Sequence, residues 1–579
     1  MRERLQLAGN GKWKRPDQLL ARAKRKPDER EAVMRTKRCS AAWAKAATAA
    51  ALCLAAVPAA AEAPAATAPG DSPVMRIPPI GPSAAQWRDP GGRAEMPVRR
   101  FVAKRTGVFD GEKISYHMIA EDQVLHGAGG APTGSIFAFS YIKDQPAGAP
   151  QRPVLFIFNG GPGSSSVWLH MGVIGPRMAA FRDVTPSQVP PFPVADNPHS
   201  VLAAADLVFV DPVGTGFSRY WGAGKPEDFY GREEDAAASV RFINAWLRKH
   251  GRWNSPKFLL GESYGTIRVN LVARRLMGGF LDGTLKGASV NGVILVGGDG
   301  GFADPQGNDR FRVTFTTMAA TAWYHGRADR AGRGFDQFIA DADRFARDEL
   351  VPALDRGEAL PPPALTDLAR KHAAFTGLDE TYLVAKKLRI MPSDFRTHLL
   401  ADQGLELGHY DSRYTLPAQG SLGDPVADDP AMGQYAAPYI GAFNHYIRDE
   451  LGIDIDDDYV VIDWVNVNLP WNHGPRDEAA AGTPFAGGTG DPGGDLAAMM
   501  RRNPDLRLMS IQGWFDLFGA VGTAEYGIAQ RRLPADRVTA KAYLSGHMPY
   551  VGEAGPKMAD DLKAFIRTAS HPAPRGPQP

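Results

Sequence analysis

The feature that most constrains this chain is a set of short, wholly apolar runs bounded by Gly and Pro: 154–158 (VLFIF), 207–210 (LVFV), 258–260 (FLL) and 293–296 (VILV). Each is short for a helix and shows no alternation, so each reads as a strand buried on both faces. Helical patterns follow several of them. In 235–249, Val240, Ile243, Trp246 and Leu247 recur at helical spacing, as do Ile267, Leu271, Val272 and Leu276 in 266–277. Strands alternating with amphipathic helices predict an α/β chain, with a mostly parallel central sheet and helices on both faces. Ahead of them, 101–142 predicts antiparallel strands, with 135–142 (SIFAFSYI) the clearest.

The pattern changes after Phe302. Residues 310–460 read as mostly helical or irregular, with helices near 335–350 and 362–374 and Gly/Pro/Asp-rich loops at 415–435 and 480–495. Strand patterns return at 506–511 and 538–544. The simplest organisation is one α/β domain from 96–305 and 500–570, interrupted by a helical cap or insertion at 306–499.

Charge is uneven along the chain. Residues 1–61 hold 14 Lys/Arg against 5 Asp/Glu, which leaves 52 against 59 elsewhere, so the overall +2 hides a body near about −7. A mildly acidic body gives no reason to expect nucleic acid as a partner. The basic start has a local cause. Residues 34–38 (MRTKR), the apolar run 46–57 and the small residues 59–61 read as a secretory signal peptide over 34–61. The run is short for a membrane span, so a secreted or periplasmic protein is expected, off the membrane after signal removal. Residues 1–33 are polar and basic and lack apolar periodicity, which leaves Met34 open as an alternative start, and 62–95, rich in Ala and Pro, reads as a linker. Both cysteines, Cys39 and Cys53, lie in the leader. The mature chain would have no disulfide, thiol nucleophile or Cys-ligated metal.

Gly261-Glu262-Ser263-Tyr264-Gly265 sits between an apolar run and a helical pattern. It fits a nucleophile elbow, in which a sharp turn lifts the serine hydroxyl clear of the backbone and a helix begins beside it. A serine needs a base, and the base needs an orienting acid. His547 follows the last strand pattern and Asp516 the one before it, so both would sit at the carboxyl edge that presents Ser263. His473 is the rival base, but it falls in the insertion. The Gly-rich stretch Asn159-Gly160-Gly161-Pro162-Gly163 also follows a strand and could bring backbone N–H groups to an oxyanion. No Gly-Lys-Ser/Thr follows it, which excludes a phosphate loop. The block Asp211 to Ser218 reads as structural support. No His-Glu-x-x-His run exists, and neither metal nor cofactor is called for.

These blocks together resemble the serine carboxypeptidase family of the α/β-hydrolase superfamily. They are Asn159 to Gly163 with Ser165 and Ser166, Asp211 to Ser218, Gly261 to Gly265, Gly513 to Asp516, and Gly546-His547. The wording of 159–170 is similar to the family's bacterial branch. The resemblance implies an α/β-hydrolase fold and a serine-type carboxypeptidase acting on a peptide or protein with a free C-terminus. Ser263 would be nucleophile, His547 base and Asp516 its orienting acid. The N–H groups of Gly161 and Tyr264 would form the oxyanion hole, and Asn159, Gly160 and Glu262 would bind substrate. Glu262 can hydrogen-bond a carboxylate well only when protonated, which predicts activity favoured at acidic pH.

Two family positions depart. Ile157 stands where well-known members have Trp, and Val173 where they have a second carboxylate-binding Glu. These changes leave the triad untouched and bear on the restriction to free C-termini. An esterase or acyltransferase on the same triad is therefore the alternative, and a catalytically inactive binding protein is a third reading.

Overall fold

The computed structural model describes residues 96–571, apart from 97, 182, 185–188, 279–286, 419–423, 425 and 475–490. The leader, the signal peptide and the linker expected at 62–95 lie outside the described residues. The central sheet contains β1 (Arg100–Phe109), β2 (Glu112–His126), β3 (Pro132–Lys143), β4 (Val154–Phe158), β5 (Asp206–Val210), β6 (Lys257–Glu262), β7 (Gly292–Val296), β8 (Arg507–Gly513) and β9 (Val538–Tyr543). Their order is β1-β2-β3-β5-β4-β6-β7-β8-β9, with the two-residue strand Arg219–Tyr220 paired off this path to β3. The first three strands and the β3–β5 pairing are antiparallel. From β5 to β9 every pairing is parallel.

The apolar runs behave as strands covered on both sides. Side chains alternate across a strand, and here both sets are buried in separate cores. Leu155, Ile157, Leu207, Phe209, Phe258, Leu260, Ile294 and Val296 face one core, while Val154, Phe156, Val208, Leu259, Val293 and Leu295 face the other. Helices α1 (Arg232–Lys249) and α2 (Tyr264–Met277) cover the second face with Val240, Ile243, Trp246, Leu271, Val272 and Leu276.

The region after 305 does not form one separate layer. Helices α3 (Asp309–Tyr324), α4 (Phe335–Phe345) and α5 (Pro362–Thr376) share a core of their own, which also takes in Phe515 and Leu517 from the turn after β8. Helix α6 (Met432–His445) instead packs onto the first sheet face, burying Tyr435, Tyr439 and Phe443 with Phe139 and Trp168. Helix α7 (Pro492–Arg502) crosses the boundary expected at 499/500, and its Leu496, Met499 and Met500 join α2 on the second face. A Gly/Pro/Asp-rich start hid this helix: Asp491 is its N-cap, accepting from Gly494 N, and Pro492 opens its first turn, where proline costs no hydrogen bond. The final helix, α9 (Ala554–Ser570), closes the first face, after α8 (Val521–Gln530). No helix among the described residues is long and apolar enough to cross a membrane.

Candidate active site

Ser263 is the junction of β6 and α2. Its backbone has φ 56° and ψ −126°, a conformation that costs of order 1–3 kcal/mol for a residue with a side chain. The surroundings hold it there. Its N–H donates to Val296 O at 2.9 Å. The flanking glycines are required by close approach: a Cβ at Gly261 would lie 2.0 Å from Gly265 O, and one at Gly265 would lie 2.9 Å from Phe158 O. Ser263 is half-buried, and helix α2 begins at the next residue.

His547 and Asp516 reach the same edge. His547 follows β9, and Asp516 follows β8, whose register is parallel to β7 and through it to β6. His547 Nδ1 lies 2.7 Å from Asp516 Oδ2, with both side chains buried. Asp516 Oδ1 accepts from the N–H groups of Phe518 (2.9 Å) and Gly519 (2.8 Å). A carboxylate can only accept, so Nδ1 carries the hydrogen, and in the neutral ring Nε2 is left basic. Nε2 is buried and has no hydrogen-bond partner among the described residues. The ring is fixed by a 2.6 Å bond from His547 N to Tyr410 O and by the edges of Tyr410 and Phe518. Burial draws the imidazole's pKa down, but the Asp516 carboxylate, its hydrogen bond and Glu262 outweigh burial and leave it raised. Two adjacent glycines after β7 lie against this ring and against Ser263. A Cβ at Gly297 would touch His547 Nδ1 at 3.2 Å, and one at Gly298 would touch Ser263 O at 3.1 Å. His473 lies elsewhere: it is exposed, with its carbonyl accepting from Arg232.

The Gly-rich stretch runs alongside the serine. A Cβ at Gly160 would fall 2.6 Å from Ser263 Cβ and 2.8 Å from Tyr264 N. Asn159 is buried; its Oδ1 accepts from Leu169 N at 3.2 Å, and its amide lies against Glu262 and Tyr550, although Nδ2 has no partner within hydrogen-bond distance among the described residues. Glu262 is buried beside them. Burial raises its pKa to about 7, against the pull of His547, of the Tyr550 hydrogen bond and of the nearby Asn159 amide. Ile157 and Val173 are both buried in the first-face core.

Several groups that shape this site lie outside the motifs. Arg268 of α2 is fully buried: Nε donates to Asp235 Oδ2 and Nη1 to Asn159 O, both at 2.6 Å. A lone arginine one helical turn after Tyr264, inside an otherwise apolar helix flank, is the only cue to it in the sequence. Asp211 Oδ1 accepts from Ser166 N at 2.8 Å and Ser166 Oγ at 2.7 Å, bracing the far end of the Gly-rich stretch. Residues 459–472, which the sequence places inside the insertion, form a strap across that stretch. Ser165 N donates to Val461 O, Asp463 N to Gly163 O and Asn468 Nδ2 to Pro162 O, at 2.8–3.0 Å. At the strap's end Trp471 Nε1 donates to Tyr264 OH at 3.2 Å.

Residues 134–330 match the family described as Serine carboxypeptidase. Similar curated proteins are Serine carboxypeptidase-like 34 of Arabidopsis thaliana, 35% identical over 116 residues, and Serine carboxypeptidase ctsa-3.1 of Caenorhabditis elegans, 26% identical over 190 residues. These alignments span 20% and 30% of this chain and only 22% and 28% of those relatives. Among solved structures, a prohormone-processing carboxypeptidase of Saccharomyces cerevisiae superposes with a TM-score of 0.48 at 14% identity, over 78% of this chain and 91% of that one. Proline iminopeptidase of Mycobacterium smegmatis gives 0.29 at 14% identity, over 81% and 99%. The Gly-rich stretch and the Ser263 turn both lie inside the residues that match the serine carboxypeptidase family, on a mostly parallel sheet.

Proposed function

We propose that this protein is an exported serine-type carboxypeptidase that removes residues from the free C-terminus of a peptide or protein. The observation that carries the reading is the buried His547, held by Asp516 through Nδ1, with Nε2 left open at the edge where Ser263 is forced into its turn. In this reading Ser263 Oγ attacks the scissile carbonyl and passes its proton to His547 Nε2. The N–H groups of Gly161 and Tyr264 receive the oxyanion. His547 then gives the proton to the leaving amine, the acyl group stays on Ser263, and water activated by the same imidazole releases it. Asn159, Gly160 and a protonated Glu262 bind the terminal carboxylate.

The pH dependence follows from two groups. Glu262 is neutral, and so able to donate, below about 7. When it is neutral it no longer holds up the His547 pKa, so the imidazole becomes a free base at lower pH than beside an ionised Glu262. Acidic to neutral conditions therefore favour peptide turnover. The signal expected at 34–61 supports export. Ile157 and Val173 favour, as a second reading, an esterase or acyltransferase on the same three residues.

Digesting an N-blocked peptide with wild type and with Ser263→Ala, read by mass spectrometry, tests the proposal. Stepwise loss of C-terminal residues by wild type alone is expected. Turnover of an acyl ester without peptide trimming would support the second reading, and no labelling of Ser263 by a fluorophosphonate would leave an inactive binding protein.

A further inference from the structure

Tyr550 lies three residues beyond His547 and is buried. Its hydroxyl donates to Glu262 Oε2 at 2.8 Å. Its ring rests on Gly172, where a Cβ would stand 2.6 Å from ring carbon Cδ2, so the absence of a side chain at 172 makes room for it. Burial holds the phenol neutral, its pKa well above the ordinary value, and the hydroxyl therefore keeps its hydrogen. A neutral carboxyl group has one oxygen that accepts and one that donates. With Oε2 already accepting from a phenol that cannot ionise, the acid proton is directed to Oε1.

We propose that Tyr550 is a positioning residue for Glu262, occupying Oε2 so that the carboxyl proton sits on Oε1 and is presented to the terminal carboxylate of the substrate. The contact stands by itself; its meaning for substrate rests on the carboxypeptidase reading. Tyr550 also governs when that proton leaves. The titratable groups facing Glu262 are His547 and Asp516 from the strand-end loops, Tyr439 from α6 and Tyr550 itself. Burial raises Glu262, and the Tyr550 hydrogen bond works against that rise by stabilising the ionised form. Without the phenol's hydrogen, Glu262 must hold its proton to higher pH.

The test compares wild type with Tyr550→Phe, which keeps the ring on Gly172 and removes only the donor. Infrared titration of the purified enzyme reads the Glu262 carboxyl band, identified as the one missing in Glu262→Gln. KM is measured across pH for an N-blocked dipeptide with a free carboxylate and for its C-terminal amide. The Glu262 midpoint should rise by about one pH unit in Tyr550→Phe, the expected effect of one lost hydrogen bond to a carboxylate. The pH at which KM climbs for the free acid should rise with it, while the amide's KM should not follow. An unmoved midpoint overturns the assignment, whatever happens to the peptides. A shifted midpoint in an enzyme that trims no free-acid peptide upholds Tyr550 and removes the carboxypeptidase reading.

Discussion

Replacing Arg268 by Met should unfold the site from behind. The Arg268–Asp235 pair is buried on both sides, at 0% and 4% side-chain exposure, with a 2.6 Å contact. Removing one partner of such a pair typically costs about 3–5 kcal/mol, because the other charge is left buried alone. The same substitution strips the donor from Asn159 O, an orphaned buried carbonyl worth about 1–3 kcal/mol. These contributions overlap, and a loss of about 4 kcal/mol is expected, a large fraction of the about 5–15 kcal/mol that holds a typical domain folded. Asp235 already has its pKa raised, by burial first, with Glu234 adding and Arg268 opposing. Without Arg268 it rises further. A carboxyl group whose folded pKa exceeds its unfolded one loses stability as pH rises between the two values. The penalty should therefore be small at low pH and full above the raised value. Urea unfolding followed by tryptophan fluorescence at several pH values measures it. Arg268→Met combined with Asp235→Leu removes both charges and should recover most of the loss, while Asn159 O stays unpaired and turnover stays low. If Arg268→Met alone costs under about 1 kcal/mol, or if the double variant is no more stable than the single one, the pair does not brace the site.

Three further outcomes follow from the same geometry. Asp516→Asn must keep its carbonyl oxygen toward Phe518 N and Gly519 N, which turns its amide toward His547, makes Nδ1 the acceptor and puts the hydrogen on Nε2; kcat should fall by about 10⁴ with the fold intact, checked by steady-state kinetics beside circular dichroism. Gly160→Ala drives a methyl within 3 Å of Ser263 Cβ, Glu262 O and Tyr264 N, so fluorophosphonate labelling of Ser263 should slow by at least about 100-fold, the scale of losing one oxyanion donor. Glu262 is neutral below about 7 and ionised above it, so wild-type KM for a free-acid peptide should climb by up to about tenfold per pH unit above that point; Glu262→Gln, which donates at every pH, should flatten the climb, and an unchanged profile refutes the role given to Glu262.

What could be read from the sequence, and what could not, divides along one physical line. A strand buried on both faces has no polar position to spare, so 154–158, 207–210 and 293–296 announce β4, β5 and β7 almost to the residue. The Ser263 turn is equally local: Gly261 and Gly265 are needed because the backbones of β6, α2 and the Phe158–Asn159 segment nearly touch there. Supports made between distant segments leave no such mark. Tyr550 and Glu262 are 288 positions apart, Arg268 and Asn159 109. Either residue, read alone, is an ordinary tyrosine or arginine in a helical or loop pattern. The strap at 459–472 gives no periodic signal because its partners are single backbone groups of the Gly-rich stretch, not a neighbouring strand. How the inserted helices divide between cores is hidden for a related reason. An apolar stripe declares that a helix buries a face, never which core receives it, and α3 to α5 close on one another while α6 and α7 close on opposite faces of the sheet. That division has a consequence for the chemistry. Phe515 and Leu517, on either side of Asp516, belong to the core of α3 to α5, so the acid that orients His547 is anchored by the inserted helices, and loosening their packing should disturb the imidazole before it disturbs Ser263.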